Sequence, residues 1–220
     1  MKLVYSIGFI AISTVLALPQ PEPAAKDPQA LLTEARTMWQ TGKYAEAQEA
    51  LENLAKTPAA KDPKFAGALV GRLADTLLSQ GEIEKAREVL DQGLAKQPAN
   101  SDLLAKLGEL QLDRGDWDGA DASIAAALKA SPDHLPARFV QARLAEVRGQ
   151  SSPKSEQWKW FVDQYNQRRP QFLKEPETLL LVGQAAERYY KAQARGEELS
   201  ESLNDVINDI YEGALRADPN

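Results

Sequence analysis

The sequence contains no cysteine and only one histidine, His134. The absence of cysteine excludes disulfides, thiolate metal sites, a cysteine nucleophile and a lipid-modified N-terminal cysteine. A single histidine excludes histidine-rich metal sites and a pair of catalytic histidines. Basic residues are also scarce relative to acidic ones, 26 against 32, which gives a net charge of −6. General binding to nucleic acid needs a basic face, so we do not expect the protein to bind nucleic acid. We also expect no bound metal and no cofactor.

Long apolar runs are missing except at the N-terminus, where residues 3–18 carry no charge after Lys2. A membrane-spanning helix needs roughly 20 apolar residues, so this run fits the core of a signal peptide better. We expect a signal peptide over residues 1–17, with an uncleaved membrane anchor as the alternative. Four prolines between Pro19 and Pro28 predict a stiff linker over residues 18–28. The body of the protein is therefore expected to be exported, to the periplasm, the cell envelope or the medium.

The rest of the chain contains an internal repeat. Four glycines, spaced by 39, 34 and 34 residues, mark it: Gly42, Gly81, Gly115 and Gly149. A small residue precedes each glycine by seven positions: Ala35, Ala74, Gly108 and Ala142. A bulky residue follows the first three glycines by two positions: Tyr44, Ile83 and Trp117. Each of these three units ends at a proline: Pro58, Pro98 and Pro132. The repeat predicts pairs of amphipathic helices hinged at glycine, with small residues where the two helices approach most closely.

These residues resemble the tetratricopeptide repeat, a helix–turn–helix unit of about 34 residues. The closest match is LLAKLGELQLDRGDWDGADASIAAALKASP, residues 103–132. The resemblance implies an all-α fold, a right-handed superhelical solenoid of antiparallel helix pairs, over residues 29–219. We expect about five units, at 29–60, 64–98, 101–132, 135–169 and 176–219.

The last two units are expected to be irregular and longer than the others. In the fourth unit, Ser151 and Lys154 replace the bulky and small residues of the second helix, so that helix must pack differently. The fifth unit keeps Gly183 and Tyr211 but separates them by three extra helical turns, which predicts two long helices joined near Gly196.

Three features suggest chemistry, and each also has a structural explanation. Asp116, Asp118 and Asp121 could begin a calcium loop, but Arg114 and Ala125 occupy the first and last ligand positions. Acidic residues at a helix start are otherwise favoured by the helix dipole. Trp158, Trp160, Phe161 and Tyr165 could form a ligand platform, although helical spacing indicates core, with Trp160 the most exposed. His134 has no serine and acid partners in sequence, and nothing indicates an enzyme.

The resemblance implies a concave groove, lined by the first helix of each unit, that binds a peptide or a partner protein. The positions expected to line it are Arg36, Trp39, Arg72, Asp75, Lys106, Glu109, Phe139 and Arg143. Arg72, Lys106 and Arg143 would form a cationic track suited to an acidic peptide, with Trp39 and Phe139 as apolar anchors. Solvated charge without a ligand is the alternative interpretation.

Two functions follow from these observations. The first is a non-catalytic, exported scaffold for protein–protein interaction. The second is the N-terminal repeat segment of a longer exported protein, such as a metallopeptidase whose catalytic domain lies outside this chain. Membrane contact is expected only if the N-terminal segment stays uncleaved. The sequence does not determine the oligomeric state. Self-assembly through the last unit is one alternative.

Overall fold

The computed structural model describes residues 27–150, 156–172, 176–193 and 201–217. These ranges contain helices and no β-strand, which confirms the all-α prediction. The helices are α1 (Pro28–Gln40), α2 (Tyr44–Ala55), α3 (Pro63–Ser79), α4 (Ile83–Lys96), α5 (Ser101–Asp113), α6 (Trp117–Ala130), α7 (Leu135–Val147), α8 (Glu156–Phe172), α9 (Pro176–Gln193) and α10 (Glu201–Ala217). No helix in these ranges has both the length and the apolar character of a membrane span. The expected signal peptide and nearly all of the linker, like the junction near Gly196, lie outside the described residues.

The four repeated glycines end the first helices as predicted. Gly42, Gly81, Gly115 and Gly149 have φ between 67° and 77°, the left-handed conformation that glycine adopts without steric penalty. A β-carbon added at any of them would meet nothing within 4 Å. The backbone conformation, and not crowding, therefore requires glycine at these turns.

Side-chain caps start several of the helices. Asp62 accepts from the Phe65 amide at 2.8 Å and Asn100 from the Leu103 amide at 3.2 Å, at the starts of α3 and α5. The extra residues between the first two units form a 3-10 turn, Pro58–Lys61, directly before the Asp62 cap. The insertion therefore adds this turn and also lengthens α3, which has 17 residues where α1, α5 and α7 have 13 each.

The small residues lie where the paired helices meet. A β-carbon added at Gly108 would lie 2.7 Å from Ile124 Cδ1 and 3.5 Å from the Ala120 carbonyl oxygen. In the fifth unit, a β-carbon added at Gly183 would lie 2.8 Å from Tyr211 Cε1. The predicted pairing of Gly183 with Tyr211 is thus confirmed, across two helices of 18 and 17 residues.

Helix α8 packs by a different rule from the other second helices. It contacts α9 more extensively than it contacts α7, its own partner in the repeat. Trp158, Phe161 and Tyr165 are buried in one core with residues of α7, α9 and α10, while Trp160 is only half-buried. The prediction that this aromatic cluster is core, with Trp160 most exposed, is confirmed. The cluster replaces the small and bulky residues that the fourth unit lacks.

The stack has two distinct sides. The first helices α1, α3, α5, α7 and α9 contact one another in succession, whereas α2, α4 and α6 pack against the first helix of the following unit. The first helices are therefore closer together than the second helices, and the stack curves with the first helices on its concave side. We call this side the groove face.

Candidate partner-binding groove

Seven of the eight residues expected in the groove have side chains at least partly accessible on the first helices. They are Arg36 and Trp39 on α1, Arg72 and Asp75 on α3, Lys106 and Glu109 on α5, and Arg143 on α7. Most of them join a polar bridge from one first helix to the next. The groove face is therefore an ordered polar surface.

The bridges at the N-terminal end use the indole of Trp39 and the ammonium of Lys106. Trp39 Nε1 donates to Ser79 Oγ at 2.8 Å, which links α1 to α3. Lys106 Nζ donates to Asp75 Oδ1, which links α3 to α5. The Lys106 stem crosses Gly71, where an added β-carbon would lie 3.2 Å from Lys106 Cε. The absence of a side chain at Gly71 therefore makes room for this bridge.

Arg143 forms the next bridge, from α7 to α5. Its Nη1 donates to Glu109 Oε1 at 2.9 Å and its Nη2 donates to Asp113 Oδ1 at 2.7 Å. Even so, the pKa of Glu109 is raised, first because the carboxylate is partly desolvated and further because Asp113 and Asp75 repel it. Arg143 and Lys106 oppose this shift without cancelling it.

A fourth bridge joins α7 to α9 through residues that the sequence analysis missed. Arg188 Nη1 donates to Glu146 Oε2 at 2.8 Å, and Trp158 Nε1 donates to Glu146 Oε1 at 2.7 Å. The Arg188 guanidinium also lies 5.4 Å from the centroid of the Trp158 ring. Arg188 follows Gly183 by five positions, as Asp113 follows Gly108, so aligning the fifth unit with the third would have placed it on the groove face.

The prediction that Phe139 is an apolar anchor in the groove is wrong. Phe139 is 8% exposed and packs edge-on against Trp158 and Phe161, with ring centroids 5.3 and 6.1 Å apart. It precedes Ala142 by three positions, as Ala105 precedes Gly108, and Ala105 is buried beneath the following unit. The side chain at this position points into the next interface between units.

The three cations of the expected cationic track all lie beside carboxylates. Lys106 and Arg143 are paired with carboxylates, and Arg72 Nη1 lies 4.0 Å from Asp75 Oδ2. The helical period predicts which residues share one face of a helix. It does not predict which side chains on neighbouring helices lie close enough to form ion pairs. Binding of an acidic peptide to these three cations stays a prediction.

The residues of the suspected calcium loop have structural partners. Asp116 accepts from the Gly119 amide at 3.0 Å and so caps α6. Asp118 and Asp121 each accept from Arg148 at 2.9 Å. His134 caps α7, since its Nδ1 accepts from the Ala137 amide at 3.3 Å and its Nε2 lies 2.9 Å from Asp102 Oδ1. This contact with His134 lowers the pKa of Asp102.

Comparisons with known families agree with this architecture of helix pairs, glycine hinges and small residues at the helix crossings. Family models described as tetratricopeptide repeat match residues 28–53, 49–110 and 77–144, which together cover more than half of the chain. The chain belongs to the tetratricopeptide repeat family. Tetratricopeptide repeats bind protein partners, and proteins built from them are generally non-catalytic scaffolds for protein–protein interaction.

Solved structures of tetratricopeptide repeat proteins share this fold. A thermophilic protein from Thermus thermophilus is 16% identical, with 86% of this chain and all of that chain covered and a TM-score of 0.54. PilF of Pseudomonas aeruginosa is also 16% identical, with 88% of this chain and 92% of that chain covered and a TM-score of 0.52. No curated protein sequence matches the chain. At these identities the likeness concerns the fold alone.

Proposed function

We propose that the protein is a non-catalytic scaffold of the cell envelope whose groove face binds an extended peptide or a segment of a partner protein. The observation that carries this proposal is the succession of polar bridges across α1, α3, α5, α7 and α9. These bridges hold charged and aromatic side chains in place before a ligand arrives, which reduces the entropy lost on binding.

Export is the second part of the proposal, and it depends on the uncharged residues 3–18 behind Lys2. A signal peptidase would release a mature chain that begins near Leu18. The intact mass of the protein recovered from its host measures this directly. Retention of Met1 in the exported protein would instead indicate a membrane anchor.

Site-specific photo-crosslinking tests whether the groove face is the binding site. A benzoylphenylalanine is placed at Gln184 on α9 or at Thr33 on α1, both exposed on first helices. The matched control carries the same residue at Glu88, exposed on the second helix α4. We expect an envelope partner to crosslink at Gln184 or Thr33 and not at Glu88. Equal crosslinking at all three positions, or crosslinking at Glu88 alone, would contradict the proposal.

A further inference from the structure

The bridge between α5 and α7 exposes its acidic members and covers its basic one. The Arg143 side chain is 26% exposed, whereas those of Glu109 and Asp113 are 49% and 55% exposed. Each carboxylate uses one oxygen for Arg143. Within the described part of the chain, the other oxygens, Glu109 Oε2 and Asp113 Oδ2, accept no hydrogen bond. A ligand approaching the centre of the groove therefore meets carboxylate oxygen first.

These two carboxylates carry more negative charge than their cation neutralises. Arg143 supplies one positive charge to both of them, and Lys106 is bound to Asp75. A ligand ammonium or guanidinium group would supply the missing positive charge.

The exposed charge has the opposite sign at the next step of the stack. The Arg188 side chain is 45% exposed, whereas that of its partner Glu146 is 34% exposed. Lys191, on the same helix as Arg188, is also more exposed than its partner Glu187. Gln184, Glu187, Arg188 and Lys191 line an open cleft of about 240 Å³. A carboxylate of a ligand can reach both cations from this cleft.

We propose that the groove selects a dipolar peptide, with a basic side chain over Glu109 and Asp113 and an acidic side chain over Arg188 and Lys191. This inference rests on the proposed function, because it assumes that the groove face binds a peptide. Neighbouring packed helices lie about 8–10 Å apart, so α5 and α9 are separated by roughly 16–20 Å. An extended chain advances about 3.3 Å per residue. The two charged residues of the ligand should therefore be about five or six positions apart.

Titration of the isotope-labelled protein with synthetic peptides tests the spacing. The probe is a twelve-residue peptide of serine, glycine and asparagine that contains one lysine and one glutamate five positions apart. The control has the same composition, with the lysine and glutamate next to each other. We expect the spaced peptide to bind about threefold or more tightly at low salt, because only it reaches both charged regions at once. Its amide shift changes should lie on α5, α7 and α9, and added salt should weaken them.

Variants identify the charges responsible. Replacing Glu109→Gln together with Asp113→Asn should abolish the preference for the spaced peptide. The matched control is Glu88→Gln with Asp91→Asn, which removes the same charge from the exposed side of α4 and should leave the preference unchanged.

The possible failures are distinguishable. Equal binding of both peptides on the groove face would overturn the dipolar selectivity while leaving the groove as the binding site. Shift changes confined to the second helices, together with crosslinking at Glu88 alone, would overturn the proposed function and this inference with it. The peptide comparison uses the unmodified protein, so it stays decisive even if a variant fails to fold.

Discussion

At the scale of single residues, the smallest side chains determine how closely the paired helices approach. Gly108 and Ala120 face each other across α5 and α6, and Ala120 is completely buried. Ile124 fills the space beside them, so no room remains for a larger side chain. These positions could be predicted from the repeat, because a residue needed at every helix crossing recurs at the same place in each unit.

Replacing Ala120→Leu should lower the free energy of unfolding by about 1–3 kcal/mol, since the added atoms overpack the crossing of α5 and α6. Urea denaturation followed by circular dichroism measures this loss. Ala126 lies exposed on the same helix, so Ala126→Leu adds the same atoms without the crowding and should change stability by less than about 0.5 kcal/mol. Equal stability of the two variants would contradict the assigned crossing.

At the scale of helices, a cap links the starts of two first helices. His134 accepts the Ala137 amide proton through Nδ1, so the proton of the neutral ring is on Nε2, which faces Asp102. The sequence placed His134 in a loop between units without assigning it a role. Its contact with Asp102, 32 residues earlier, depends on how the third and fourth units stack.

Replacing His134→Ala should cost about 0.5–2 kcal/mol through loss of the α7 cap. It should also raise the pKa of Asp102 towards its ordinary value, because the contact that lowers the pKa is gone. A lowered carboxyl pKa stabilises the folded state above the unfolded-state value of about 3.9, and this contribution disappears as the pH falls through the folded-state pKa. The difference in free energy of unfolding between His134→Ala and the wild type should therefore become smaller below about pH 4.

Chemical denaturation at several pH values and an NMR titration of the Asp102 carboxyl group measure both effects. His134→Asn is the matched control, because asparagine can cap the helix through its side-chain oxygen. This variant should keep most of the stability at pH 7. An unchanged pKa of Asp102 in His134→Ala would show that the ring does not control that carboxylate.

The fold and the site differ in how far the sequence could define them. Helix pairs, hinges and crossings were predictable through Pro132, since each depends on contacts within one unit. The packing of α8 on α9 was not predictable. The aromatic residues of α8 show a helical period, but this period does not identify the helix that they contact. The groove positions were predictable as a face, but the bridges of Arg143 and Arg188 depend on distances between helices, which periodicity does not contain.

At the scale of the whole molecule, each helix contacts mainly its neighbours in the stack, so a local change should have a local effect. Glu146 connects three helices, since it accepts from Trp158 on α8 and from Arg188 on α9 while belonging to α7. It is therefore the residue whose loss should loosen the last units together.

Replacing Glu146→Ala should lower the free energy of unfolding by about 1–3 kcal/mol, because it removes an acceptor of the Trp158 indole N–H and a partner of Arg188. Hydrogen exchange should become faster in α7, α8 and α9 and stay unchanged in α1 and α2. Glu146→Gln keeps an acceptor for the indole and should have a smaller effect. Faster exchange spread evenly over α1–α10 would contradict this local coupling.

The attachment of α8 to α9 also bears on how such an array can lengthen during evolution. A duplication that copies one helix pair should be tolerated where the two helices pack most extensively against each other, as α3 with α4 and α5 with α6 do. A break between α8 and α9 would separate α8 from the helix that covers most of it. A helix pair such as α5 with α6 can therefore be copied as a unit, whereas a copy of α8 would have to include α9.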